Sequence, residues 1–142
     1  MKTTSTDGLR KILGQRIEIN TEKNIRRLLN RAALRVENTA KESIQRGVKS
    51  GRVYTKGGIT HQASAEGEAP ATDTGFLVSN ISHNTVRAEG TKLISQVFSG
   101  AEYSAYLEFG TRKMAERPFL QPALDENAPK IEADFRKGGL IK

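Results

Sequence analysis

One stretch constrains this chain more than any other. From Asn20 to Gly47 the apolar residues Ile25, Leu28, Leu29, Ala32, Val36, Ala40 and Ile44 recur at steps of three and four, the spacing of an amphipathic α-helix with one buried stripe. Gly47 is a natural stop, because glycine tolerates the backbone conformations that end a helix. Upstream, Leu9, Ile12, Leu13 and Ile17 also have helical spacing but project to a different side. The conflict predicts a bend or break near Glu18–Asn24, with Asn20 or Thr21 capping the second helix. The rest of the chain, 142 residues in all, suits one domain built on that helix: an N-terminal segment at 1–19, the long helix at 20–47, a flexible loop or arm at 48–73, and a sheet with C-terminal helices at 74–137.

The formal charge of +7 is concentrated on this part of the chain. Residues 1–50 hold 12 Lys or Arg against 5 Asp or Glu, and the remainder is balanced. On the long helix Arg27, Arg31 and Arg35 stand four apart, with Lys23 one step further along, so they form a cationic ridge expected opposite the buried stripe. Such a ridge either keeps the helix solvated or faces a polyanion or an acidic protein surface. No aromatic residue occurs before Tyr54, so base stacking is not expected, and contact with nucleic acid would run through the phosphate backbone without sequence preference.

Residues 48–73 are rich in Gly, Ser and Ala and too polar to build a core. One ordered element is predicted within them, a hairpin in which Arg52–Thr55 and Ile59–His61 flank the turn Lys56-Gly57-Gly58. Such an arm buries little within its own domain and is expected to order against another subunit, which makes Arg52, Tyr54, Ile59 and His61 interface candidates. Asp73-Thr74-Gly75 then leads into a short helix at 76–81, with Asp73 as its cap. His83–Ala88 and Thr91–Phe98 around Glu89-Gly90 predict an antiparallel hairpin. A helix over Tyr103–Phe109 should end at Gly110. From Pro118 to Lys137 the pattern is helical, and Pro129 predicts a break near Asn127–Pro129. These expectations amount to an α+β fold, in which a long N-terminal amphipathic helix and shorter C-terminal helices pack on a small antiparallel sheet, with an extended glycine-rich hairpin arm.

Most chemistry is excluded. The chain has no cysteine and two histidines, His61 and His83, which removes thiol catalysis and Cys-ligated zinc and leaves no metal-ligand spacing. No phosphate-binding or nucleophile-elbow motif is present. Aspartic proteases use D-T-G, but here the triplet follows Glu68-Ala69-Pro70-Ala71-Thr72 instead of an apolar strand, so a helix cap is the preferred role for Asp73. No catalytic, cofactor or metal site is expected. No apolar run reaches the roughly 18 residues of a membrane span, and the first residues lack a secretory apolar core, so a reducing, cytoplasmic setting is expected.

The most distinctive segment is Tyr103–Thr111, YSAYLEFGT, followed by Arg117–Ala123, RPFLQPA. Tyr103, Tyr106 and Leu107 share one helical face, Gly110 and Thr111 form the turn, Glu108 and Arg117 are placed to bracket it electrostatically, and Pro118 and Phe119 fix and anchor the next helix. Together with A-P-x-x-D-T-G-x-L at Ala69–Leu77, in which Gly75 completes the triplet, this pattern resembles a tail-component family of long-tailed bacteriophages that includes relatives of the lambda minor tail protein Z. The resemblance implies a structural virion protein that forms a ring, usually sixfold, at the head-proximal end of the tail. It also implies a role in tail completion and head–tail joining, around the passage for double-stranded DNA. The implied partners are further copies of the chain and neighbouring neck and tail proteins, with no membrane, and the implied location is the virion, after assembly in the host cytoplasm. Tyr103 and Tyr106 join the arm as interface candidates, since cyclic contacts need two different patches per subunit. The competing expectation, from charge alone, is a basic, non-sequence-specific DNA-binding module.

Overall fold

The computed structural model describes residues 6–72 and 74–140, with side chains from Thr21 onward. Helix α1 (Thr6–Arg46) is followed by strands β1 (Val53–Lys56) and β2 (Ile59–Gln62), helix α2 (Phe76–Ser79) and strand β3 (Ile81–His83). Strands β4 (Arg87–Glu89), β5 (Lys92–Ile94) and β6 (Val97–Ser99) and helices α3 (Ser104–Phe109) and α4 (Gln121–Lys137) complete it. The architecture is α+β, as expected.

Helix α1 is continuous over 41 residues, about 60 Å, and the predicted break near Glu18–Asn24 does not occur. A hydrophobic stripe that changes direction costs a helix nothing; a breaker would, and residues 18–24 contain neither Pro nor Gly. Asn20 and Thr21 therefore lie inside the helix instead of capping it, and Glu22 and Arg26 form an i,i+4 pair at 2.9 Å. The helix ends where expected. Gly47 donates to the Ser43 carbonyl, and the Lys49 ammonium covers that same carbonyl at 2.9 Å and the Ala69 carbonyl at 2.8 Å. Burial pulls Lys49 below the usual lysine range, against the opposing charge of Glu68.

Strands β3 and β6 pair antiparallel, as do β4 and β5. The register slips by one residue between the two ladders: His83 faces Val97 and Arg87 faces Ile94. The predicted hairpin is thus one ribbon from Ile81 to Ser99 with an extra residue on its first strand, a bulge that bends it. Asn84 bridges the irregularity, donating through its backbone N–H to Gln96 O and accepting from Gln96 N–H. Gly90, at φ 60°, makes the tight turn that a side chain would strain.

The core forms where α1, the ribbon and α4 meet. Val36, Ala40 and Ile44 pack with Leu77, Ile81, Ala101, Phe119 and Ala123, the C-terminal half of the stripe read from the sequence; further up, Leu28 is buried while Ile25, Leu29 and Ala32 are only partly so. One charge sits within that stripe. Glu37 is buried, and its carboxylate takes hydrogen bonds from Lys41 at 2.5 Å and from His83 Nδ1. Burial alone would raise its pKa, but the bonds and charges of Lys41 and His83 outweigh it and hold the carboxyl below the usual range.

Helix α4 runs unbroken through Pro129, against the predicted interruption. Proline in a helix costs about 3 kcal/mol, and here its surroundings limit that cost. Pro129 and Asp125, whose carbonyl loses its partner, are both exposed to water. On the inner face α4 is held to α1 on both sides of the proline: Asn127 Nδ2 donates to Thr39 Oγ1 at 2.8 Å, and Asp134 pairs with Arg35 at 3.3 Å.

Candidate subunit interface

The hairpin arm forms as predicted. Gly57 and Gly58 both have positive φ, 59° and 78°, the pair required by a two-residue type I′ turn. The register pairs Tyr54 with His61 and Lys56 with Ile59. Because side chains alternate across a strand, Tyr54, His61, Lys56 and Ile59 share one face, and Val53, Thr55, Thr60 and Gln62 share the other. The Tyr54 and His61 rings stack with centroids 5.4 Å apart. Ile59 and Val53 are nonetheless 63% and 58% exposed, so the arm carries apolar side chains that its own chain leaves uncovered.

The root of the arm is clamped. Gly51 and Ala63 extend the ladder, and a Cβ on Gly51 would lie 2.6 Å from the Ser64 carbonyl oxygen, which only glycine avoids. Glu68 accepts from Ala65 N–H at 2.8 Å and Ser50 N–H at 2.9 Å, and from the Ser50 hydroxyl. Those bonds, the Ala65 one foremost, hold its carboxyl below the usual range.

The YLEFGT–RPF segment builds the region beside it. Gly110 ends α3 at φ 76° and donates to Tyr106 O, and Thr111 Oγ1 accepts from Lys113 and Met114 N–H. The predicted Glu108–Arg117 bracket is not made. Glu108 instead accepts from the backbone N–H groups of Phe119 (2.9 Å), Leu120 (3.1 Å) and Gln121 (2.8 Å). It is thus a cap for α4 supplied from another helix, filling the place that the N-cap residue Leu120 cannot fill. Arg117 turns the other way, donating to Ser64 O at 3.2 Å and Ala115 O at 2.8 Å. With Gly67 N–H bonded to Glu116 O, it ties the motif to the arm root. Pro118 follows, and Phe119 is fully buried.

Between α1, β6, α3 and α4 this arrangement leaves an open groove of about 800 Å³, lined mainly by apolar side chains. Phe98, Phe109 and Leu124 line it while exposed, Phe109 by 79%. Among the described residues, the charged ones that line it are Glu108 and Glu116. Sequence reasoning missed the groove, although Phe98 lies on the most apolar strand and a signal was there. Tyr103, the N-cap of α3, and Tyr106 on the helix are exposed but do not line the groove, and the Tyr103 ring lies 6.1 Å from that of Phe76.

The cationic ridge is only partly opposite the core. Arg27 and Lys23 are exposed, but Arg35 is half-buried against Asp134 at 3.3 Å and Arg31 reaches the same carboxylate at 4.0 Å. The reason is that α4 lies along the flank of α1 and brings Asp134 to the ridge. Asp73 lies outside the described residues. Gly75, at φ 77°, occupies the N-cap position of α2, and its N–H donates to Thr72 Oγ1. His61 and His83 lie apart, in the arm and in β3. Among the described residues no group of His, Asp and Glu could hold a metal ion, and no helix is long and apolar enough to cross a membrane.

Neither a curated protein nor a solved structure matches the chain. Residues 7–110 match the family described as Bacteriophage HK97-gp10, putative tail-component, a span that takes in α1, the arm, the bulged ribbon and α3. The chain belongs to this HK97-gp10-like family of bacteriophage tail components.

Proposed function

We propose that the protein forms a homo-oligomeric ring, sixfold in the simplest case, at the head-proximal end of the tail, where it completes the tail and joins it to the head around the DNA passage. The observation that carries this reading is the presence on one subunit of two unlike, uncovered surfaces, the arm and the apolar groove. Head-to-tail closure of a ring requires two such patches. Family membership supports the setting, a structural role in the tail among other tail proteins. Of the four ridge residues, Lys23 and Arg27 are exposed where DNA or an acidic neighbouring ring could meet them, whereas Arg31 and Arg35 already engage Asp134.

Light scattering and negative-stain imaging of the purified full-length protein test this directly. Closed rings are expected, together with tails that fail to join heads when the gene is disrupted. Monomers or dimers that bind DNA with steep salt dependence would replace this reading with the basic DNA-binding module.

A further inference from the structure

The two uncovered surfaces fit each other. We propose that the face of the β1–β2 arm carrying Tyr54, His61 and Ile59 seats in the α1–β6–α3–α4 groove of a second copy of this chain. This rests on the homo-oligomeric reading above and names its contact.

Three observations select this occupant. First, an isolated two-stranded hairpin is marginal in water, and this one leaves Ile59 largely exposed and Tyr54 exposed on the face proposed to seat, so the arm gains order by covering that face. Second, the groove offers about 800 Å³ with Phe98, Phe109 and Leu124 uncovered along it, which is apolar surface of the matching kind. Third, the charges are complementary. The arm carries Arg52 and Lys56 and no acid between residues 52 and 62, whereas the groove's charged lining is Glu108 and Glu116. Groove-to-groove pairing would instead set two acidic linings against each other, a like-charge arrangement that disfavours the symmetric alternative.

The absence of native cysteine makes the contact readable. Full-length Ile59→Cys and Phe109→Cys chains, both substituted at exposed positions, are mixed, allowed to associate and treated with a short bis-maleimide. A cross-linked pair with one chain of each kind is expected, and neither variant alone should give it. In parallel, Ile59→Asp should weaken self-association at least tenfold with an unchanged circular dichroism spectrum, whereas Val53→Asp, on the opposite face, should change it less than threefold. Full-size oligomers that yield no mixed cross-link would overturn the arm-in-groove contact and leave the ring standing. Equal effects of Ile59→Asp and Val53→Asp would overturn the choice of face. A chain that stays monomeric at every concentration would overturn both this contact and the ring.

Discussion

Replacing Glu108 with alanine isolates the device that joins α3 to α4. The carboxylate serves three backbone donors, Phe119 and Leu120 through Oε2 and Gln121 through Oε1, at 2.8 to 3.1 Å. A side-chain cap is worth about 0.5–2 kcal/mol, and hydrogen bonds to a charged group about 1.5–3 kcal/mol. The negative charge also opposes the positive end of a 17-residue helix, adding about 0.3–1 kcal/mol. These contributions overlap, and Glu108 is only half-buried, so water recovers part of the loss. Glu108→Ala should therefore cost about 2–3 kcal/mol. At about 2.1 cal/mol/K of unfolding entropy per residue, a chain of this size loses about 3 °C of Tm per kcal/mol, or about 7–10 °C here. Glu108→Gln keeps one oxygen but turns an N–H toward a row of donors, and should lose about 1–2 kcal/mol. Urea unfolding followed by circular dichroism, at one fixed protein concentration because association raises apparent stability, measures both. A loss below about 1 kcal/mol for the alanine variant, or a glutamine variant as stable as the parent, would refute the idea that this carboxylate caps α4.

The other expectations are briefer. Phe119→Ala removes a fully buried ring from the core and should cost about 3–5 kcal/mol; an unchanged denaturation midpoint would show that the ring does not anchor α4. The Glu68 carboxyl is held below its ordinary value of 4.5, so its clamp on the arm root is intact above that value and is lost as the pH falls through the lower folded pKa. The Ser50 and Ala65 amide resonances should accordingly titrate with a midpoint under 4.5, and a midpoint at or above it would contradict the clamp. Lys23→Glu with Arg27→Glu should leave stability within about 0.5 kcal/mol, as both are exposed, while lowering the yield of joined particles; normal yield would remove these cations from the mechanism. Arg35→Ala, by contrast, should cost about 1 kcal/mol by chemical denaturation, because it breaks a partly buried contact with Asp134; no loss would show that the pair contributes nothing.

Periodicity made the helix legible and glycine placement made the turns legible, because both are local. The α1 stripe, the Gly57-Gly58 hairpin and the Gly110 stop depend on residues within one or two turns of each other, and each stands where the sequence puts it. The break expected near Glu18–Asn24 failed for a local reason, the lack of a Pro or Gly there; the other misreadings came from long-range partners. A break at Pro129 is the correct local expectation, and it fails because Asn127 and Asp134 fasten α4 to α1 on either side. The arginine ridge looks solvent-facing until α4 brings Asp134 beside it. Glu108 and Arg117 have opposite charges nine residues apart, yet the stronger demand on Glu108 is a helix N-terminus with three unpaired donors. That demand is visible only once α4 is seen to begin there. The groove was hidden for the same reason, since its walls come from four elements spread from Leu29 to Ile131.

The motif that carried the family resemblance also explains how the two candidate surfaces stay in a fixed relation within one subunit. Glu108, Phe109, Glu116 and Pro118 line the groove, and the same segment holds the arm root through Glu116 O to Gly67 N–H and Arg117 Nε to Ser64 O. The arm and the groove are thus fastened to one short stretch of chain. In a cyclic assembly the angle between these two surfaces sets the rotation from each subunit to the next, and hence whether the assembly closes or runs on as a filament. A flexible connection would leave that angle free and allow open chains. Here backbone hydrogen bonds, a guanidinium and a glycine that admits close approach at Gly51 all act at the root, while the tip stays exposed. The YLEFGT–RPF segment therefore serves as the bracket between the two surfaces, and its polar residues matter for where they hold the arm relative to the groove.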